Sequence, residues 1–198
     1  MGSTLFEVVS HVVHPAAQKV TFVPLVGGVG RVRMELHANS LAESLSRIYD
    51  GKFVPLHAPA RVSSRNIRDE LLKEDSLLPA IYLTQKLDIA VVGIGYPNEK
   101  SAIMATGYFK ENEIESLIDR KVAGELCMQF YDIYGDTAPY KDDNNVIGMD
   151  ISMLRSVPRS IGIAGGVEKL RAVRGAINGH YINTLITDIE CAEALISE

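Results

Sequence analysis

Three short stretches of small residues stand where a β-branched run gives way to a helix-like one, Gly27-Gly28-Val29-Gly30, Gly93-Ile94-Gly95 and Gly165-Gly166, and Gly2-Ser3-Thr4, before the first helical stripe, would make a fourth. Glycine at such a junction lets backbone N–H groups approach a ligand, and the helix start that follows favours an anion. Each glycine could equally serve only to make a tight turn; four in one chain weigh against that reading for all of them. Lys169 stands shortly after Gly165-Gly166, at the end of a helix where the dipole disfavours a cation. It is either a solvated surface charge or the partner of an anion held over that helix start. Glu125 alternates with Leu126, Met128 and Phe130 in a half-buried pattern, and is either an exposed strand residue or an acceptor for sugar hydroxyls. His37 and Asn39 precede the helical stripe that opens at Leu41; Asn39 or Ser40 could cap it, and His37 could cap or touch a ligand.

Other chemistries lack their residues. A dinucleotide fold needs a third glycine where Gly28-Val29-Gly30-Arg31-Val32-Arg33 has arginine, and an acid after the next strand, which Lys52–Pro55 does not supply. There is no Gly-x-Ser-x-Gly elbow, no His-Glu-x-x-His and no carboxylate pair beside a glycine turn. His11, His14, His57 and His180 show no ligand spacing, and Cys127 and Cys191 form neither a Cys-x-x-Cys pair nor a disulfide framework. No cofactor and no metal is expected. Twenty Lys plus Arg against twenty-five Asp plus Glu give a net charge of −5, with no basic run to neutralise nucleic-acid phosphates. No apolar run approaches the ~20 residues that span a bilayer, and a cytoplasmic location is the expectation.

The elements that would position these residues alternate. Val20–Leu25, Lys52–Pro55, Asp88–Gly93, Gly124–Tyr131, Asn144–Gly148, Arg159–Ala164 and Thr184–Thr187 read as strands. Helical spacing is carried by Leu5, Val8, Val9 and Val12, by Leu41, Leu45, Ile48 and Tyr49, by Ile114, Leu117 and Ile118, and by Leu170, Val173 and Ile177. Nearly continuous apolar strands between helices imply a mostly parallel α/β sheet covered on both faces. Gly124–Tyr131 and Asn144–Gly148, joined by a polar turn, are expected to form an antiparallel hairpin added to it. One domain over residues 1–198 is the economical reading. The first helical pattern, at Leu5, has no strand before it, so Met1-Gly2-Ser3-Thr4 reads as a cloning remnant or as the tail of a loop whose strand lies upstream.

In order along the chain, these features resemble the sugar-binding domain of the SorC family of transcriptional regulators, whose relatives include the deoxyribonucleoside and central-glycolytic-gene regulators. Phe22-Val23-Pro24-Leu25-Val26-Gly27-Gly28, His37-Ala38-Asn39, Asp88 to Gly95 and Val122 to Asp132 each resemble a family segment. The most specific are Ile163-Ala164-Gly165-Gly166-Val167-Glu168-Lys169 and Leu185-Ile186-Thr187-Asp188. The resemblance implies a three-layer, Rossmann-like fold of the phosphosugar-isomerase and CoA-transferase type, used for sensing. It implies that Ser3, Thr4 and Lys169 hold a phosphate, with Gly28, His37 and Glu125 near the sugar. It further implies a sugar-phosphate effector, a separate N-terminal helix-turn-helix domain that contacts operator DNA, and a homodimer or homotetramer. The chain departs from the family at Asn144-Asn145 and at Val26, where relatives often carry arginine; both departures bear on any doubly phosphorylated effector.

The reading is therefore an effector-sensing domain that catalyses nothing. A sugar-phosphate isomerase or deaminase on the same fold is the alternative; it needs a general base, for which only Glu125 or Asp132 could be offered. A third reading is an assembly domain that uses the fold only to oligomerise.

Overall fold

The computed structural model describes residues 2–13, 19–28, 33–98 and 101–197, the side chains of residues 102 and 105 excepted. Met1, Val29, Gly30, Arg31, Val32 and His14, all mentioned above, lie outside the described residues. The chain divides into two compact units, residues 1–86 with 145–149, and residues 87–144 with 150–198.

In the first unit, α1 (Ser3–Ser10) precedes β1 (Thr21–Phe22), a 3-10 turn (Met34–Leu36), α2 (Ala38–Ile48), β2 (Lys52–Phe53), α3 (Arg65–Leu71) and α4 (Leu78–Thr84). The stripe read from Leu41 makes α2 a crossover between β1 and β2, which pair in parallel with Thr21 opposite Lys52. The helix ends where Asp50 turns to φ 51 and the Gly51 N–H closes onto the Ser46 carbonyl at 2.7 Å. Leu56, Leu77, Ala80 and Ile147 form a buried cluster, with Val54, Val62 and Ile81 packed on it. Each large aliphatic side chain so buried contributes about 1.5–3 kcal/mol.

The second unit holds β3 (Ile89–Gly93), α5 (Ala102–Ala105), α6 (Glu111–Asp119), β4 (Gly124–Leu126), β5 (Gln129–Tyr131), β6 (Arg159–Ile163), α7 (Leu170–Asn178), β7 (Thr184–Ile186) and α8 (Ile189–Ser197). β3, β6 and β7 form a parallel sheet in that order, with Val91 opposite Ile161 and Ile161 opposite Thr184. Ala90 and Val92 are buried, as are Ala172, Val173 and Ala176 of α7, whereas Ile89 and Val91 are partly exposed. Small residues on α7 allow close approach: the Tyr131 hydroxyl donates to the Ala172 carbonyl at 3.0 Å.

The mixed α/β class with parallel strands and a small antiparallel pair is as the pattern predicts, but the antiparallel pair is not the one expected. Gly124–Tyr131 is not a single strand: it folds back on itself as β4 and β5, with Gly124 opposite Tyr131. Its turn is Cys127-Met128, both at positive φ (50 and 65), the backbone of a two-residue hairpin turn without its usual Asn-Gly. Asn144–Gly148 is not its partner. Residues 145–149 belong to the first unit, where Val26 bridges Gly148 and Arg61 bridges Val146. The absence of Gly and Asn at the true turn hid it from a reading based on turn residues.

Candidate functional site

In the first unit, Ser3 opens α1 and is exposed, Thr4 follows it half-buried, and Gly2 caps the helix at φ 101. The Gly2 N–H donates to the Leu36 carbonyl at 3.1 Å, which sets the start of α1 beside His37. His37 is half-buried and extended (φ −68, ψ 145) as the residue before α2, and its carbonyl accepts the Leu41 N–H at 3.0 Å. Ser3, Thr4 and His37 are thus brought together. Asn39 caps nothing, contrary to expectation, because α2 already begins at Ala38. Its amide instead donates to the Leu56 carbonyl (3.1 Å) and accepts the Leu56 N–H (3.0 Å). Gly28 has its N–H on the Ala58 carbonyl (2.7 Å) and its carbonyl on the Ala60 N–H (2.6 Å), so it can offer close approach but not that donor. A cleft of about 310 Å³ between α1 and α2 is lined by Phe6, Val9, Leu41, Ile48 and Glu35; it suits an anion poorly, having a carboxylate and apolar walls.

In the second unit the loop after β3 is not an open anion cradle. Gly95 exchanges both backbone hydrogen bonds with Glu125, at 3.0 and 2.9 Å. A side chain at Gly95 would run into the Glu125 carboxylate, so this glycine admits the acid rather than a phosphate. One oxygen of Glu125 accepts the Met128 N–H at 2.9 Å, an acceptor position built by the left-handed turn. Burial pushes the Glu125 carboxyl above its ordinary value, opposed by that N–H and by the positive charge of Lys169. Burial also raises the neighbouring Cys127 thiol to about 12, which leaves it protonated and unreactive.

Lys169 is half-buried and ends a 3-10 turn (Val167–Lys169) rather than lying inside α7, which starts at Leu170. It therefore stands at the residue before the helix, still on the positive end of the dipole. Glu125 and Lys169 are brought into electrostatic reach of each other. Sequence reasoning passed over Asp188 as a site residue. Its carboxylate accepts the Gly166 N–H at 2.5 Å and the Cys191 N–H at 2.8 Å, and these two donors hold its pKa below the ordinary range. An acid immediately before the apolar start of α8 is a capping signal, and that signal was present in the sequence.

No group of three His, Cys, Asp or Glu suited to a metal occurs among the described residues. No helix among them is long and apolar enough to cross a membrane.

A family described as "Putative sugar-binding domain" matches residues 1–197. The sorbitol operon regulator of Klebsiella pneumoniae is 30% identical over 181 residues, 91% of this chain and 58% of its own length. The transcriptional regulator LsrR of Escherichia coli K12 is 33% identical over 184 residues, 91% of this chain and 56% of its own. The crystal structure of the probable sor operon regulator from Shigella flexneri superposes with a TM-score of 0.90 at 29% identity, over 98% of this chain and 77% of that one. The chain thus spans under two thirds of the length of these curated relatives.

Proposed function

The chain belongs to the sugar-binding domain family of SorC-type transcriptional regulators, and from that premise we propose that it senses a phosphorylated sugar and catalyses nothing. Residues 1–198 act as one effector-binding domain on a three-layer fold of the phosphosugar-isomerase and CoA-transferase type, a reading supported by the parallel strands that feed glycine turns. In the first unit Ser3 and Thr4 offer hydroxyls and the start of α1 to the phosphate, with Gly28 and His37 near the sugar. In the second, Lys169 supplies the positive charge and Glu125 accepts sugar hydroxyls. The observation that carries the reading is Lys169: a half-buried cation three residues after Gly166, at the helix end that disfavours it unless an anion is present. Operator DNA is contacted through a separate helix-turn-helix domain, and the domain works in the cytoplasm as a homodimer or homotetramer, since operators are read by symmetric proteins.

An isomerase or deaminase is not favoured. Its base would be Glu125 or Asp132, and the curated relatives at 30% and 33% identity are named as regulators rather than enzymes. Thermal melts against pentose and hexose phosphates and their unphosphorylated parents test the proposal, with product analysis of the same mixtures. Stabilisation by at least one phosphorylated sugar without turnover is expected. Steady isomerisation or deamination that disappears in Glu125→Gln would replace the sensor with an enzyme.

A further inference from the structure

We infer that Asp188 is a positioning residue for Lys169, latching the loop between β6 and α7 to the start of α8; the inference rests on the role proposed above for Lys169. A side chain that merely capped α8 would need only the Cys191 N–H, which Asp188 accepts at 2.8 Å. Its second oxygen crosses to the other loop and takes the Gly166 N–H at 2.5 Å. From Gly166 the connection to Lys169 is one more bond, the Gly166 carbonyl accepting the Lys169 N–H at 3.1 Å. The loop is shaped for this contact. Gly166 is at φ 96, and a Cβ on Gly165 would stand 2.7 Å from the same Asp188 oxygen. Upstream, the Ala164 N–H is held by the Ile186 carbonyl at 3.1 Å, so the loop is pinned on both sides of its two glycines. A carboxylate can serve two donors at once through two oxygens, whereas an asparagine has one acceptor oxygen and presents an N–H to the other donor. Asp188→Asn therefore keeps one anchor at most, and the backbone it frees is that of the turn carrying Lys169.

Two measurements separate this inference from the sensing proposal. The first needs no effector: NMR titration of the Glu125 carboxyl in wild type, Asp188→Asn, Lys169→Ala and the double variant. Lys169 lowers this titration, so Asp188→Asn should raise its midpoint as Lys169→Ala does, with no further rise in the double variant. Loss of the Asp188 charge alone would move it the opposite way. A midpoint that is unchanged or lowered in Asp188→Asn overturns the inference. The second is calorimetric titration with ribose 5-phosphate, glucose 6-phosphate and fructose 6-phosphate. For whichever binds wild type, Asp188→Asn should weaken binding about tenfold (~1.4 kcal/mol) and have no effect once Lys169 is alanine. Equal losses in both backgrounds would make Asp188 independent of Lys169 and contradict the latch. Gly165→Ala, which crowds the same oxygen while leaving the carboxylate free to cap α8, should reproduce both results. If no sugar phosphate binds wild type, the sensing proposal is at fault and the Glu125 midpoint decides the latch by itself.

Discussion

Lys169 and Glu125 are opposite charges, and in the free domain the surroundings of each disfavour its charged form. Lys169 sits at the positive end of α7, and a phosphate there turns an adverse contact into a charge-assisted hydrogen bond worth roughly 1.5–3 kcal/mol. Lys169→Ala should weaken sugar-phosphate binding about 10- to 150-fold while leaving the melting temperature of the free domain unchanged or slightly raised. Calorimetry and melts on the same two proteins check both halves; a lower melting temperature with unchanged affinity would return Lys169 to a structural role. Glu125 is an acid whose folded pKa lies above its unfolded value. The folded state keeps its proton longer, so its contribution to stability is present below 4.5 and is lost as pH rises through the folded pKa. Glu125→Gln, which can still accept the Met128 N–H, removes that loss. Above pH ~5 the variant should gain stability relative to wild type as pH rises, even though it binds effector less well. A difference in melting temperature that stays constant from pH 4 to 8 would contradict this. Both residues were legible as candidates because their charge conflicted with a local pattern, a cation at a helix start and an acid in a half-buried run. Asp188 was harder to see, because a capping signal does not reveal that the second oxygen reaches another loop.

At the level of elements, helices and parallel strands followed from apolar spacing, because α2, α6 and α7 bury one stripe each, β3 is an apolar run and β6 becomes one from Ile161. The pattern failed where conformation was set by tertiary contacts. Cys127 and Met128 adopt left-handed backbone without glycine, and Met128 is fully buried, so packing and the N–H bond to Glu125 outweigh their local preference. Asn144–Gly148 reads as a strand by composition, yet its Val146 and Gly148 pair through isolated bridges with Arg61 and Val26, far away in sequence. Periodicity gives a strand's faces but not its partner. The start of α2 was also misjudged by position, and Asn39 proved to be a tie rather than a cap. It holds α2 to the segment after β2 through both backbone groups of Leu56. Asn39→Ala leaves those groups unsatisfied in a partly buried place and should cost about 1–3 kcal/mol, read as a fall of roughly 2–10 °C in Tm. A loss below ~0.5 kcal/mol in chemical denaturation would show that water replaces the tie.

At the level of the whole molecule, composition excluded more than it identified. A net charge of −5 without a basic run argues against operator binding by this chain alone, and a mobility-shift assay at physiological salt should show none. The family resemblance rested on ordered segments rather than on any single motif, and the match over residues 1–197 bears it out. The choice between a sensor and an enzyme on related folds depends on the site, not on the fold. Calorimetric titration of the wild-type chain with sugar phosphates and with the same sugars lacking the phosphate tests that choice most directly, with product analysis after each run. The account predicts saturable binding of at least one phosphorylated sugar, no comparable binding of its parent sugar, and recovery of the ligand unchanged. Equal affinity for the two forms, or conversion of the ligand, would contradict it.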